Sequence, residues 1–178
     1  VSQYFARLSQ RLLSALTAQT AEGRLYEIDL RLRPSGVSGP IAVHIDAFGQ
    51  YQRETAWTWE QMALTRGRVV TGPPRLVEAV DNIRRNVLTR PIDPVALAAD
   101  VADIRARIEK EFPAQEVWSL KSVRGGLIDC EFLCQFMQLR FAAAHPRVLH
   151  QSTSAAFREL GAAGCIEADL AQELDAHL

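Results

Sequence analysis

Between Tyr26 and Arg33 the chain alternates without a break. Glu27, Asp29, Arg31 and Arg33 fall on one side, and Tyr26, Ile28, Leu30 and Leu32 on the other. A period of two is the signature of a strand, so the expected element has one apolar face and one wholly ionic face. Charges inside a packed sheet are costly unless paired or metal-bound. Two readings fit. One is an edge strand whose ionic face is solvated and self-paired. The other is an active-site strand, where a carboxylate such as Asp29 holds a divalent metal and Arg31 and Arg33 hold phosphate. The planar guanidinium suits phosphate because it donates two parallel hydrogen bonds.

A second constellation lies downstream, where Lys121, Gly125-Gly126, Asp129 and Glu131 open a helical pattern. Residues two apart on a helix stand about 200° apart, so Asp129 and Glu131 do not chelate one ion together. Asp129 in a first helical turn favours the helix dipole. The alternative is that the glycine-led N-terminus meets nucleotide phosphate or a protein substrate, with Lys121 assisting or remaining a solvated charge. Arg66 and Arg68 either face a nucleotide or lie on the surface over Trp59. Trp57 and Trp59 read as core. His44, His145, His150 and His177 have no partner at useful spacing, and Ser152-Thr153-Ser154 reads as a helix cap.

These residues need positioning elements. Phe5, Leu8, Leu12, Leu13 and Leu16 form one helical stripe from about Tyr4 to Thr17. The ionic strand comes next. Pro34-Ser35-Gly36 and Ser38-Gly39-Pro40 mark a loop, and Ile41 to His44 a short second strand. Short helices follow over Asp46 to Arg53 and Thr58 to Arg66. Gly72-Pro73-Pro74 is the best boundary, dividing 1–72 from 73–178. Beyond it everything reads helical: Leu76 to Leu88, a helix opened by Asp93-Pro94 and running to about Phe112, one of about twenty residues after Gly125-Gly126, and two shorter ones split near Gly161 to Gly164.

The chain has 178 residues, is 48% hydrophobic and carries a formal charge of -1. That composition builds a core and argues against a general nucleic-acid or anionic-membrane surface. Cys130, Cys134 and Cys165 are an odd number without metal-ligand spacing, so buried free thiols in a reducing cytoplasm are expected. No secretory signal and no membrane-length apolar run is present. Val1 stands first in place of Met, and the chain is expected to be part of a longer one.

Three blocks carry a family resemblance. Tyr26-Glu27-Ile28-Asp29-Leu30-Arg31-Leu32-Arg33-Pro34-Ser35-Gly36 resembles the "Y-x-x-D-x-R-L-R-P-x-G" segment of the bifunctional glutamine-synthetase adenylyltransferases. Trp57-Thr58-Trp59-Glu60 with Ala63-Leu64-Thr65-Arg66-Gly67-Arg68-Val69-Val70 resembles their "W-T-W-E…A-L-x-R-A-R-V-V". Lys121, Gly125 to Phe132, Gln135 and Leu139-Arg140 resemble "K-x-x-x-G-G-I-x-D-I-E-F-x-x-Q-x-x-x-L-R". Gly67 replaces the usual Ala and Cys130 the usual Ile.

The resemblance implies an α+β fold: part of a polymerase-β-like nucleotidyltransferase sheet, of few strands, followed by a mostly helical bundle. It implies ATP as substrate, Mg²⁺ on three carboxylates, and attack by a tyrosine hydroxyl of glutamine synthetase on the α-phosphorus. Asp29 corresponds to the third carboxylate. Arg31, Arg33, Lys121, Gly125, Gly126, Asp129 and Glu131 are candidates for nucleotide contact. The first two carboxylates belong to a Gly-Ser-x-Asp-x-Asp-like segment that does not occur between Val1 and Gly23, so these residues alone are expected to be inactive. "R-L-R-P-S-G-x-S-G" and "W-T-W-E" resemble the C-terminal, adenylylating copy more than the adenylyl-removing one. A PII uridylyltransferase shares the Gly-Gly-x-x-Asp segment but not the arginine strand. The rival reading is a non-catalytic helical module that docks glutamine synthetase or the PII signal protein.

Overall fold

The computed structural model describes residues 2–24, 27–114, 116 and 118–176. Tyr26 and His177 therefore lie outside the described residues. The chain gathers into two compact units, Val1–Ala56 and Trp57–Leu178.

The first unit opens with α1 (Ser2–Leu16), a helix without an acidic residue. Its stripe is present, but Phe5, Leu8 and Leu12 are exposed. Two short strands follow, β1 (Gln19–Thr20) and β2 (Gly23–Arg24). They pair antiparallel, Gln19 opposite Arg24 and Thr20 opposite Gly23. A 3-10 turn spans Gly36–Ser38, and α2 spans Ile45–Glu54. The His44 imidazole caps α2 by accepting the Asp46 N–H at 3.4 Å.

Among the described residues the expected strands do not form. Residues 27–30 take no regular secondary structure and pair with no described strand, and the chain turns at Arg31. Asp29 is the reason: its carboxylate accepts the Arg31 backbone N–H at 2.9 Å. Such a local side-chain bond offers the backbone an alternative to a sheet ladder. Burial alternates only through Leu30. After the turn Leu32 is exposed and Arg33 is partly buried, the reverse of the expected faces. Ile41 to His44 likewise pairs with no described strand. What stands of the expected architecture is its α+β class: the described residues hold one small two-stranded sheet and are otherwise mostly helical.

The second unit is all helical: α3 (Thr58–Thr65), α4 (Pro74–Leu88), α5 (Pro94–Glu111), α6 (Leu127–Phe141), α7 (Thr153–Ala162) and α8 (Ala168–Ala176). Gly72-Pro73-Pro74 lies inside this unit, where the segment after α3 enters α4 at Pro74. Caps explain several boundaries. Asp93 accepts the Val95 N–H with Pro94 at the first helical position, and Ser152 accepts from Ala155. The expected helix of about twenty residues after Gly126 is shorter, ending at Phe141.

α6 is apolar on nearly every side, the mark of a helix surrounded by others. One face sends Leu139, Phe132 and Phe136 toward Met62, Leu88 and Leu97 of α3, α4 and α5. The other sends Cys134, Met137 and Phe141 toward Ala156, Phe157 and Leu160 of α7. Leu149 packs against both clusters. All three cysteines are free, and only Cys134 is fully buried. Burial pushes its thiol up to about 11, which makes it unreactive at neutral pH.

Phe157 is 0% exposed at the centre of the α6–α7 cluster. Phe157→Ala should destabilise the second unit by about 3–5 kcal/mol, read as a lower urea midpoint at unchanged slope.

Candidate functional site

Among the described residues, the candidates named in the sequence fall in two polar groups, one in each unit. In the first, the Arg31 guanidinium grips Asp29. Arg31 Nε donates to both carboxylate oxygens at 3.0 and 2.9 Å, and Nη2 donates to Oδ2 at 2.7 Å. These bonds, joined by the Arg31 N–H, hold the Asp29 carboxyl at about 2, below the usual carboxylate value. Asp29 is therefore ionised at any physiological pH, and the pair is exposed.

Arg33 does something different. Its Nε donates to the Gly36 carbonyl at 2.9 Å and Nη2 to the Val37 carbonyl at 2.7 Å. The guanidinium expected to hold phosphate thus braces its own loop. That loop is tight: Ser35 has φ 62°, and a Cβ at Gly39 would sit 1.9 Å from the Pro34 carbonyl oxygen. Only glycine fits there.

Among the described residues, no three His, Cys, Asp or Glu side chains gather at metal-binding range. Asp29 has both oxygens engaged by Arg31.

In the second unit the loop before α6 is closed by backbone bonds. Gly126 N–H donates to the Val123 carbonyl at 2.8 Å, Leu127 N–H to Leu120 at 3.0 Å, and Ile128 N–H to Lys121 at 3.1 Å. The Gly125 N–H donates to Asp129 Oδ2 at 2.6 Å. Every one of these donors is engaged within the protein, which satisfies the free N–H groups at this helix start. Gly126 is required because a Cβ would lie 2.3 Å from the Leu120 oxygen.

Asp129 also receives Arg105 of α5, whose Nε pairs with Oδ1 and whose Nη2 donates to Oδ2 at 3.4 Å and to the Ser122 carbonyl at 3.3 Å. Burial opposes ionisation of Asp129, but Arg105 and the Gly125 N–H outweigh it and hold the carboxyl below its usual value. Glu131 pairs with Arg66 Nη1 at 2.6 Å, joining α6 to the end of α3. Arg84 of α4 adds bonds to the Leu64 and Thr65 carbonyls, both at 3.1 Å, capping that same end. Lys121 and Arg68 are exposed.

Of the residues singled out in the sequence, the structure brings Asp29 to Arg31, Gly125 to Asp129 and Arg66 to Glu131. The essential partner of Asp129, Arg105, escaped notice. It sits beside the Val101–Ile104–Ile108 stripe, and only that near-miss position hints at burial. Arg84 gave no signal.

A family model described as glutamate-ammonia ligase adenylyltransferase matches residues 1–83. The bifunctional glutamine synthetase adenylyltransferase/adenylyl-removing enzyme of Rhodopseudomonas palustris (strain TIE-1) is 48% identical over 155 residues, 87% of this chain and 16% of that protein. The relative from Xanthobacter autotrophicus is 44% identical over 177 residues, 99% of this chain and 17% of its own length. That from Mesorhizobium japonicum is 54% identical over 134 residues, 75% of this chain and 14% of its own. Most of the chain is thus similar to the bifunctional glutamine synthetase adenylyltransferases, and residues 1–83 match the family model. The chain spans about a sixth of the length of these relatives. Within this chain, the "G-G-x-x-D-x-E" and "A-L-x-R" blocks meet through Glu131 and Arg66, residues far apart in sequence.

Asp129→Asn keeps the shape and removes the charge facing Arg105. It should cost about 1–3 kcal/mol at neutral pH. Because the folded carboxyl titrates below its unfolded value, the clasp contributes fully at neutral pH and is lost as pH falls below about 4. Wild-type stability in urea should therefore drop more steeply than the variant's between neutral and acid pH.

Proposed function

We propose that the chain forms part of an enzyme that transfers AMP from ATP to a tyrosine of glutamine synthetase. The phenolic oxygen attacks the α-phosphorus, the bond to the bridging oxygen of the β-phosphate breaks, and pyrophosphate leaves with the phenolic proton lost to solvent. The observation that carries this reading is Asp29, ionised and exposed on a loop that Arg33 and Gly39 hold in one shape. In this reading Asp29 is one ligand of Mg²⁺, and the remaining carboxylates come from residues outside these 178. The bound ions would stabilise the attacking and leaving oxygens. Arg31 keeps Asp29 ionised and must let go of an oxygen when the ion arrives. Arg33 shapes the loop. Gly125, Gly126, Asp129 and Glu131 hold the second unit's helices in place, with Lys121 at its surface.

The arginine and tryptophan blocks favour the adenylylating copy over the adenylyl-removing one. Without the other carboxylates, the 178 residues alone transfer nothing. In the longest natural polypeptide containing them, Asp29→Asn should lower label transfer from α-labelled ATP to glutamine synthetase at least a hundredfold without shifting its melting temperature. Transfer at the wild-type rate sinks the metal role. Transfer by the isolated 178 residues sinks the need for further carboxylates.

A docking role has its own observation. The loop before α6 is closed by hydrogen bonds, yet it presents Trp118 82% exposed and Leu120 63% exposed. Preorganised aromatic residues are what protein partners select, and glutamine synthetase or the PII signal protein fits. Trp118→Ala should weaken glutamine synthetase binding at least tenfold in a surface-capture titration and leave the circular dichroism spectrum unchanged.

A further inference from the structure

α3, α5 and α6 leave an open cavity of about 360 Å³ between them, a volume at the small end for organic ligands. Its walls are aromatic and aliphatic: Trp59, Phe132, Met62, Ile104 and Ile108. One polar side chain, Gln135, stands among them. Gln135 is only 8% exposed, and its carboxamide makes no hydrogen bond to any described residue. Its polar atoms are not among those sealed from solvent, so the carboxamide stays free to bond a guest in the cavity that it lines.

The mouth has its own chemistry. An adjoining hollow of about 290 Å³ shares Trp59, Ile104 and Ile108 and is rimmed by Asp100, Asp103 and Glu111 against a single Arg107. Arg107 is already paired with Asp103 at 2.6 Å, and Asp100 accepts the Thr58 hydroxyl at 2.5 Å. The rim stays net negative and repels phosphate or carboxylate at close range.

We propose that this cavity binds an uncharged nucleobase or nucleoside, its ring between the apolar walls and its polar edge on the Gln135 carboxamide. An amide places a donor beside an acceptor, which complements the adjacent amino group and ring nitrogen of adenine. The site lies wholly within the second unit and does not depend on the phosphoryl-transfer reading.

Calorimetric titration of the 178-residue chain with adenosine tests it. Wild type should bind adenosine with a dissociation constant below 1 mM, roughly the scale of a small ligand in such a cavity, and bind ATP at least tenfold more weakly. Gln135→Leu should lose at least tenfold in adenosine affinity while melting no lower than wild type. Ala63→Phe, which fills the cavity from α3, should abolish binding. No binding of adenosine, equal affinity for ATP, or unchanged affinity in Gln135→Leu overturns the proposal. So does a Gln135→Leu protein that melts well below wild type, since the amide would then be structural.

Discussion

A single carboxylate in the first turn of α6 organises its surroundings in the second unit. Asp129 closes the preceding loop through the Gly125 N–H and fastens α5 through Arg105. Arg105 in turn reaches the Ser122 carbonyl, so loop, α5 and α6 share one charge centre. Glu131 then ties α6 to α3, and Arg84 ties α3 to α4. Partly buried pairs of this kind add little net stability, because desolvation offsets much of their attraction. The apolar contacts of α6 supply the driving force, and the charged contacts fix which helix ends meet.

The first unit solves a different problem. Asp29 and Arg31 are two residues apart, which on a regular strand puts them on the same face but leaves each peptide group to find a neighbouring strand. The turn removes that need, because the aspartate receives both the backbone and the side chain of Arg31. Arg33 then satisfies carbonyls that the turn leaves open.

The helices of the second unit were legible because each carries local punctuation. Asp93-Pro94 and Ser152 are caps that act within four residues, and the period of the apolar positions did the rest. The strand was misread because alternation records a facing preference and not a partner. The ladder that makes a strand is non-local. The ion pairs were illegible for the same reason. Arg105 and Asp129 are 24 residues apart, and Arg66 and Glu131 are 65 apart, so no spacing rule links them. Gly126 and Gly39 were visible as turn residues, while the carbonyl oxygens that forbid a side chain there are visible only in three dimensions.

Leu149 touches both apolar clusters, and α6 contributes residues to each. Neither cluster can come apart without exposing a surface that the other uses. The second unit is therefore one cooperative element: amide protons in α5 and in α7 should share a common opening energy in hydrogen exchange, in place of a graded ladder from one end to the other.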